Sequence, residues 1–256
     1  MTRLFTLLVV PFLVLFLSAG GAMAINITIW DGNGDGENVL YGGEDGETEP
    51  GMINSQIWDL EAFLLTGTML TMVGGYDFKN GVGGYTSGDI FIDVTGDAVY
   101  GDIHDSSTAG NQVVNNDFGY DYVLDLDFDS TTFEIFEIDS SSKVITSYYT
   151  ANQGSNPWLY ESGGHEIGTG QFLFQNGLSD SDGLFGGSHY ALSLDIGFLL
   201  DEGFAGKDFY THFTMECGND NLMGKGVAPV PEPATMLLLG TGLIGLAGVS
   251  RKKFKE

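Results

Sequence analysis

Cysteine is nearly absent: Cys217 is the only one in 256 residues, so no disulfide can form within the chain and stability must come from the core. Cations are scarce as well. Residues 25–230 hold four Lys (Lys79, Lys143, Lys207 and Lys225), no Arg and 33 Asp or Glu, a formal net charge of −29. Nucleic-acid binding depends on Lys and Arg set against phosphates, so this class of partner is excluded. An acidic surface of this kind suits solubility, or divalent cations such as Ca²⁺ that prefer carboxylate ligands. Proline is sparse too, and three of the six cluster at Pro229, Pro231 and Pro233.

The long apolar runs stand at the two ends. Met1–Ala24 carries one cation, Arg3, then an apolar run from Leu4 to Leu17, then small residues in which Ala22 and Ala24 frame an A-x-A cleavage site. This is the pattern of a secretory signal peptide, so residues 1–24 are set apart from the fold and the mature chain is expected to begin near Ile25. At the other end, residues 221–233 read as a linker containing Pro231, Glu232 and Pro233. Residues 234–250 follow as an apolar transmembrane helix, and residues 251–256 as a tail with Arg251, Lys252, Lys253 and Lys255. A helix of that length reaches roughly 25 Å, slightly short of a bilayer core of about 30 Å, so it spans only a thin or thinned membrane. The cations put the tail on the cytoplasmic side and everything before Pro229 outside. Pro231 and Pro233 cannot continue a helix, which leaves Pro-Glu-Pro extended and accessible.

Pro231-Glu232-Pro233-Ala234-Thr235, the apolar stretch that follows and the basic end together resemble the PEP-CTERM sorting signal of Gram-negative bacteria. The resemblance is confined to this C-terminal stretch. It implies export through the secretion machinery, handling by exosortase, a membrane helix that is transient, and a destination at the cell surface or in an exopolysaccharide and biofilm matrix. It implies an address and no activity, because the bodies that carry such signals differ widely in sequence. The tail is mostly Lys where the family often has Arg, a departure that leaves the charge logic intact.

Between the ends the apolar period is two. Ile25, Ile27 and Ile29 alternate with polar residues, as do Ile90, Ile92 and Val94; Tyr122, Leu124, Leu126 and Phe128; Tyr190, Leu192, Leu194 and Ile196; and Phe209, Thr211, Phe213 and Met215. Clusters of Gly, Asn, Asp and Ser separate these runs. The expectation is one all-β domain over residues 25–220, an antiparallel β-sandwich of jelly-roll-like kind. The stretch Gln56–Leu65 fits both a helical stripe and a strand; it is read as a strand that turns at Thr66-Gly67 into Met69–Val73.

Four features carry candidate chemistry. Asp31, Asn33 and Asp35, with Gly36 at the sixth position, match the first half of a calcium loop, but Gly42 stands where an EF-hand requires Glu. Glu44, Glu47 or Glu49 would have to close a looser Ca²⁺ site. Asp59 and Glu61 share a strand face, beside Asp89 and Asp93 if the intervening strands pair; Asp121, Asp125, Asp127 and Asp129 lie opposite the apolar face of their own strand. His165-Glu166 is not a zinc motif, since Thr169 occupies the place of the second His. Cys217 reads either as a buried thiol on the last strand or as an intermolecular link. With so many carboxylates no pair stands out, and no catalytic residue is assigned. The sequence therefore points to a structural or binding protein of the surface or matrix, in contact with other matrix components or polysaccharide; a glycosidase-like enzyme on the sandwich is the alternative.

Overall fold

The computed structural model describes residues 24–30, 44, 46, 48–99, 110–149, 153–180 and 185–230. Residues 1–23 of the expected signal peptide, the loop with Asp31, Asn33 and Asp35, and the tail from Pro231 onward lie outside the described residues. In chain order the strands are β1 (Ile25–Asn26), β2 (Leu60–Thr66), β3 (Met69–Gly74), β4 (Ile90–Asp93), β5 (Val113–Asn115), β6 (Tyr122–Asp127) and β7 (Thr132–Glu137). Then come β8 (Lys143–Ile145), β9 (Leu159–Ser162), β10 (His165–Gln171), β11 (Leu173–Ser179), β12 (Ser188–Asp195), a helical turn α1 (Phe198–Asp201), β13 (Asp208–Thr214) and β14 (Asn221–Val227).

Two sheets face each other. One has the order β1-β2-β3-β12-β11 and the other β10-β7-β6-β4-β13-β14; every pairing within them is antiparallel. Phe63, Leu65, Met72, Leu192 and Leu194 from the first sheet meet Ile90, Ile92, Leu124, Phe209 and Phe213 from the second in one buried core. Removing side chains of this size from water stabilises the fold by about 1.5–3 kcal/mol each. The alternation read in the sequence is what builds this core: in β12, Leu192 and Leu194 face inward, while Ala191 packs with Val73 on the opposite face.

A third sheet, β5-β8-β9, covers part of the outer face of the second. Phe91, Phe118, Tyr120, Val123, Ile138 and Val144 form a separate core beneath it. This accounts for the apolar Ile-Phe-Ile of β4, which is buried on both faces.

Three local expectations change. Gln56–Trp58 is a single 3₁₀ turn, and the strand begins only at Leu60. The pairing of β2 with β3 then steps from Leu60↔Gly74 to Ala62↔Val73, a bulge at Glu61 that lets Leu60, Phe63 and Leu65 join Trp58 in the core. Residues 221–227, expected in a linker, are instead β14, paired with β13 along its whole length. The run Gly-Lys-Gly suggests a tether, yet a Cβ on Gly226 would lie 2.5 Å from the ring of buried Phe209. The glycine there makes room for an aromatic ring.

Candidate functional site

The carboxylates come first, because the body holds so few cations to pair with them. Asp89 is buried, with Oδ1 accepting the Leu126 N–H at 2.9 Å and Oδ2 the Tyr160 N–H at 2.8 Å, which ties the second sheet to β9. Asp93 accepts the N–H groups of Thr95, Gly96 and Ala98 at 2.9, 2.7 and 3.0 Å and closes its own turn. Asp220 accepts from Leu60 at 2.6 Å and from Asn221 at 2.8 Å, and Asp59 accepts from Gly46 at 2.8 Å. These acids satisfy backbone donors that the sheet ladders leave over. Burial nonetheless pushes Asp89 well above the usual carboxylate range, helped by the charge of Asp125, against the pull of its two N–H donors.

The pairs expected from sequence are not assembled. Asp59 precedes β2, Glu61 sits at the bulge, and Asp89 and Asp93 belong to the opposite sheet, because β3 and β4 do not pair. Asp125 and Glu134 do stand directly opposite each other across β6 and β7, on the outer face of the second sheet. They sit beside a shallow depression lined by Thr132, Glu134, Thr169 and Gln171. Partial burial, then the neighbouring charges of Glu134 and Asp127, raise Asp125 above the usual range. Among the described residues there is no group of three or more His, Cys, Asp or Glu arranged to hold a metal. Of the residues that could close a looser calcium site, Glu44 is buried and Glu49 accepts a hydrogen bond from the Asn221 amide.

Among the described residues two histidines are fully buried. His189 Nδ1 lies 2.6 Å from Glu61 Oε1, which also accepts from Gln56 Nε2 at 2.7 Å, and His189 Nε2 lies 3.4 Å from Asp180 Oδ1. The arrangement pins the end of β12 to β2; His189 and Glu61 are fully buried, while Asp180 at its far side is open to solvent. His212 packs between Met223 Sδ and the Pro157 carbonyl, 3.0 Å from each, and burial pushes its pKa down to about 4. It is therefore neutral, with Nε2–H donating to Pro157. Cys217 is buried in the main core and its thiol is pushed up to about 11, so it stays protonated and unreactive.

One cluster has no counterpart in the sequence reading. Tyr85, Tyr148 and Tyr149 meet at the surface with ring centroids 5.8, 6.1 and 5.0 Å apart, and Tyr85 Oη lies 3.1 Å from Tyr149 Oη. Tyr148 and Tyr149 are 36% and 40% exposed. Trp58, nearly buried, packs edge-on to Tyr85 at 6.3 Å and stacks on Tyr76, which continues through Phe78 to Phe213 in the core. The backbone beneath is fixed: Tyr76 Oη donates to the Tyr85 carbonyl at 3.0 Å, and the Tyr148 N–H to the Glu216 carbonyl at 2.7 Å. The Tyr-Tyr doublet was the one visible signal, and nothing local joins it to Tyr85 63 positions earlier in the chain.

The comparisons with known proteins add one match. Residues 229–252 fit the family model of the PEP-CTERM protein-sorting motif. No curated protein and no solved structure matches the chain. The sorting residues Pro231, Glu232 and Pro233 and the cations Arg251, Lys252, Lys253 and Lys255 all fall outside the described residues, as does Ala22 of the expected signal cleavage site; Ala24 is exposed.

Proposed function

We propose that this is a structural or binding protein of the cell surface or extracellular matrix, with the acidic sandwich as the part displayed outside the cell. One observation carries the reading: residues 229–252 match the sorting motif, which suggests an exported protein processed by exosortase and associated with the membrane through its C-terminal region. The finer reading is supported by the chemistry of the body. Its buried acids are engaged in holding loops and sheets together, and the net charge of −29 over residues 25–230 keeps neighbouring copies and anionic polymers apart.

The test is mass spectrometry of the mature termini, in cells with and without exosortase. The surface form is expected to begin at or near Ile25 and to have lost the segment after Pro233; without the enzyme, the chain keeps Phe254–Glu256 and stays with the membrane. Surface material that retains an intact C-terminus in cells containing the enzyme would overturn the proposal.

A further inference from the structure

We propose that the platform of Tyr85, Tyr148 and Tyr149 is a binding site for a neutral polysaccharide. This deepens the reading above and rests on it for where such a ligand is met. Single exposed aromatics are ordinary on protein surfaces, but here three adjoining rings are held open to solvent by a rigid support. The support comes from three separate segments: the turn in which Val82 and Tyr85 exchange backbone bonds at 3.0 and 3.1 Å, the stretch carrying Tyr148 and Tyr149, and the turn after β13 at Glu216 and Cys217, whose carbonyls accept both of their N–H groups. Trp58 fills the space behind Tyr85. A ligand therefore meets a preformed surface and the protein loses little conformational freedom on binding.

The chemistry of the platform selects the occupant. Each ring offers an apolar π face with a hydroxyl at its rim. A pyranose offers the complement, a face of C–H groups encircled by hydroxyls. C–H groups set on the rings make weak but repeated contacts, and the sugar hydroxyls find polar partners at the edge. Those partners are present: Tyr85 and Tyr149 share one hydrogen bond between their hydroxyls, leaving a further donor and free lone pairs. The Glu216 carboxylate, which accepts the Thr86 N–H at 3.2 Å, still has acceptor capacity. The Tyr85 hydroxyl is raised to about 12, first by its bond to Tyr149, so it remains a donor at all physiological pH values. Charge decides between classes of polymer. With Glu216 at the rim and a body of −29, a polyanion is repelled, and a neutral glycan is not.

The experiment is affinity electrophoresis of the purified full chain in detergent, through gels containing hydroxyethylcellulose, galactomannan, dextran or, as the polyanion, alginate. Retardation by at least one neutral polymer and not by alginate is expected. Tyr148→Ala with Tyr149→Ala should weaken it by about tenfold or more, the loss of stacking from two rings. Tyr149→Phe, which keeps the ring, should retain most of it. An unchanged thermal midpoint in each variant shows that the fold is intact. The proposal is overturned if no neutral polymer retards the chain, if alginate alone does, or if the double variant binds like the wild type. It is also overturned if the chain self-associates through these rings, seen as an oligomer in light scattering that the double variant abolishes. Binding is measured on purified protein, so its failure and a failure of sorting are read separately.

Discussion

His212 shows how one buried group sets a pH dependence. Its folded pKa of about 4 lies below the ordinary value of 6.5, so between these pH values the unfolded chain takes up a proton that the folded chain refuses. The stability contributed by the neutral ring is complete above pH 6.5 and is lost as pH falls toward 4, on the order of 3 kcal/mol. Asp89 has the opposite sign: its folded pKa is raised, so its contribution is present below the ordinary value of 3.8 and lost as pH rises through the folded value. The two oppose each other in the acid range, and only substitution separates them. His212→Gln removes the titrating ring and keeps a donor for the Pro157 carbonyl. Its stability deficit relative to the wild type, measured by urea denaturation, is expected to shrink between pH 7.5 and pH 4.5. A deficit that stays constant would mean that the proton is not excluded from His212.

At the scale of elements, alternation in sequence carried the inward faces of β4, β6, β12 and β13, and the Thr66-Gly67 turn between β2 and β3, because each depends only on neighbours along the chain. What it missed depends on partners far away. The bulge at Glu61 is set by the pairing of β2 with β3, and β14 looked like a tether because two of its seven residues are glycine. The tyrosine platform was invisible for the same reason, since its rings come from segments joined only by the fold. Gly226 tests the reading of β14 directly. Alanine there pushes a methyl group into the Phe209 ring, a cost of about 1–3 kcal/mol. In a tether the same change would be neutral or stabilising, by about 0.4–1 kcal/mol, because it only restricts the unfolded chain. A lowered urea midpoint for Gly226→Ala is the expected result, and an unchanged or raised one would return this segment to the linker.

On the scale of the whole molecule, the first and last strands of the fold meet. Ile25 and Asn26 pair with β2 in the first sheet, and Ile27 donates to the Phe63 carbonyl at 2.9 Å. The Ile27 carbonyl then accepts from Lys225 at 2.7 Å, and Ile29 donates to the Met223 carbonyl at 2.8 Å, so this segment covers the edge of β14 in the second sheet. It closes the sandwich on that side and protects an edge strand that would otherwise offer free backbone groups. Ile27 and Lys225, near the two ends of the described fold, are therefore direct neighbours. If the processing proposed above cuts the chain, the cut is expected beyond β14, because the strand belongs to the core. Leu222 and Met223 alone bury side chains worth about 1.5–3 kcal/mol each, and the ladder to β13 goes with them, against a typical total stability of about 5–15 kcal/mol. A chain ending at Val230 is expected to unfold cooperatively at the same urea midpoint as the full chain, whereas one ending at Asp220 is expected to lose the cooperative transition. If the shorter chain unfolds like the longer one, β14 is dispensable and the sorting cut is free to fall anywhere after Asp220.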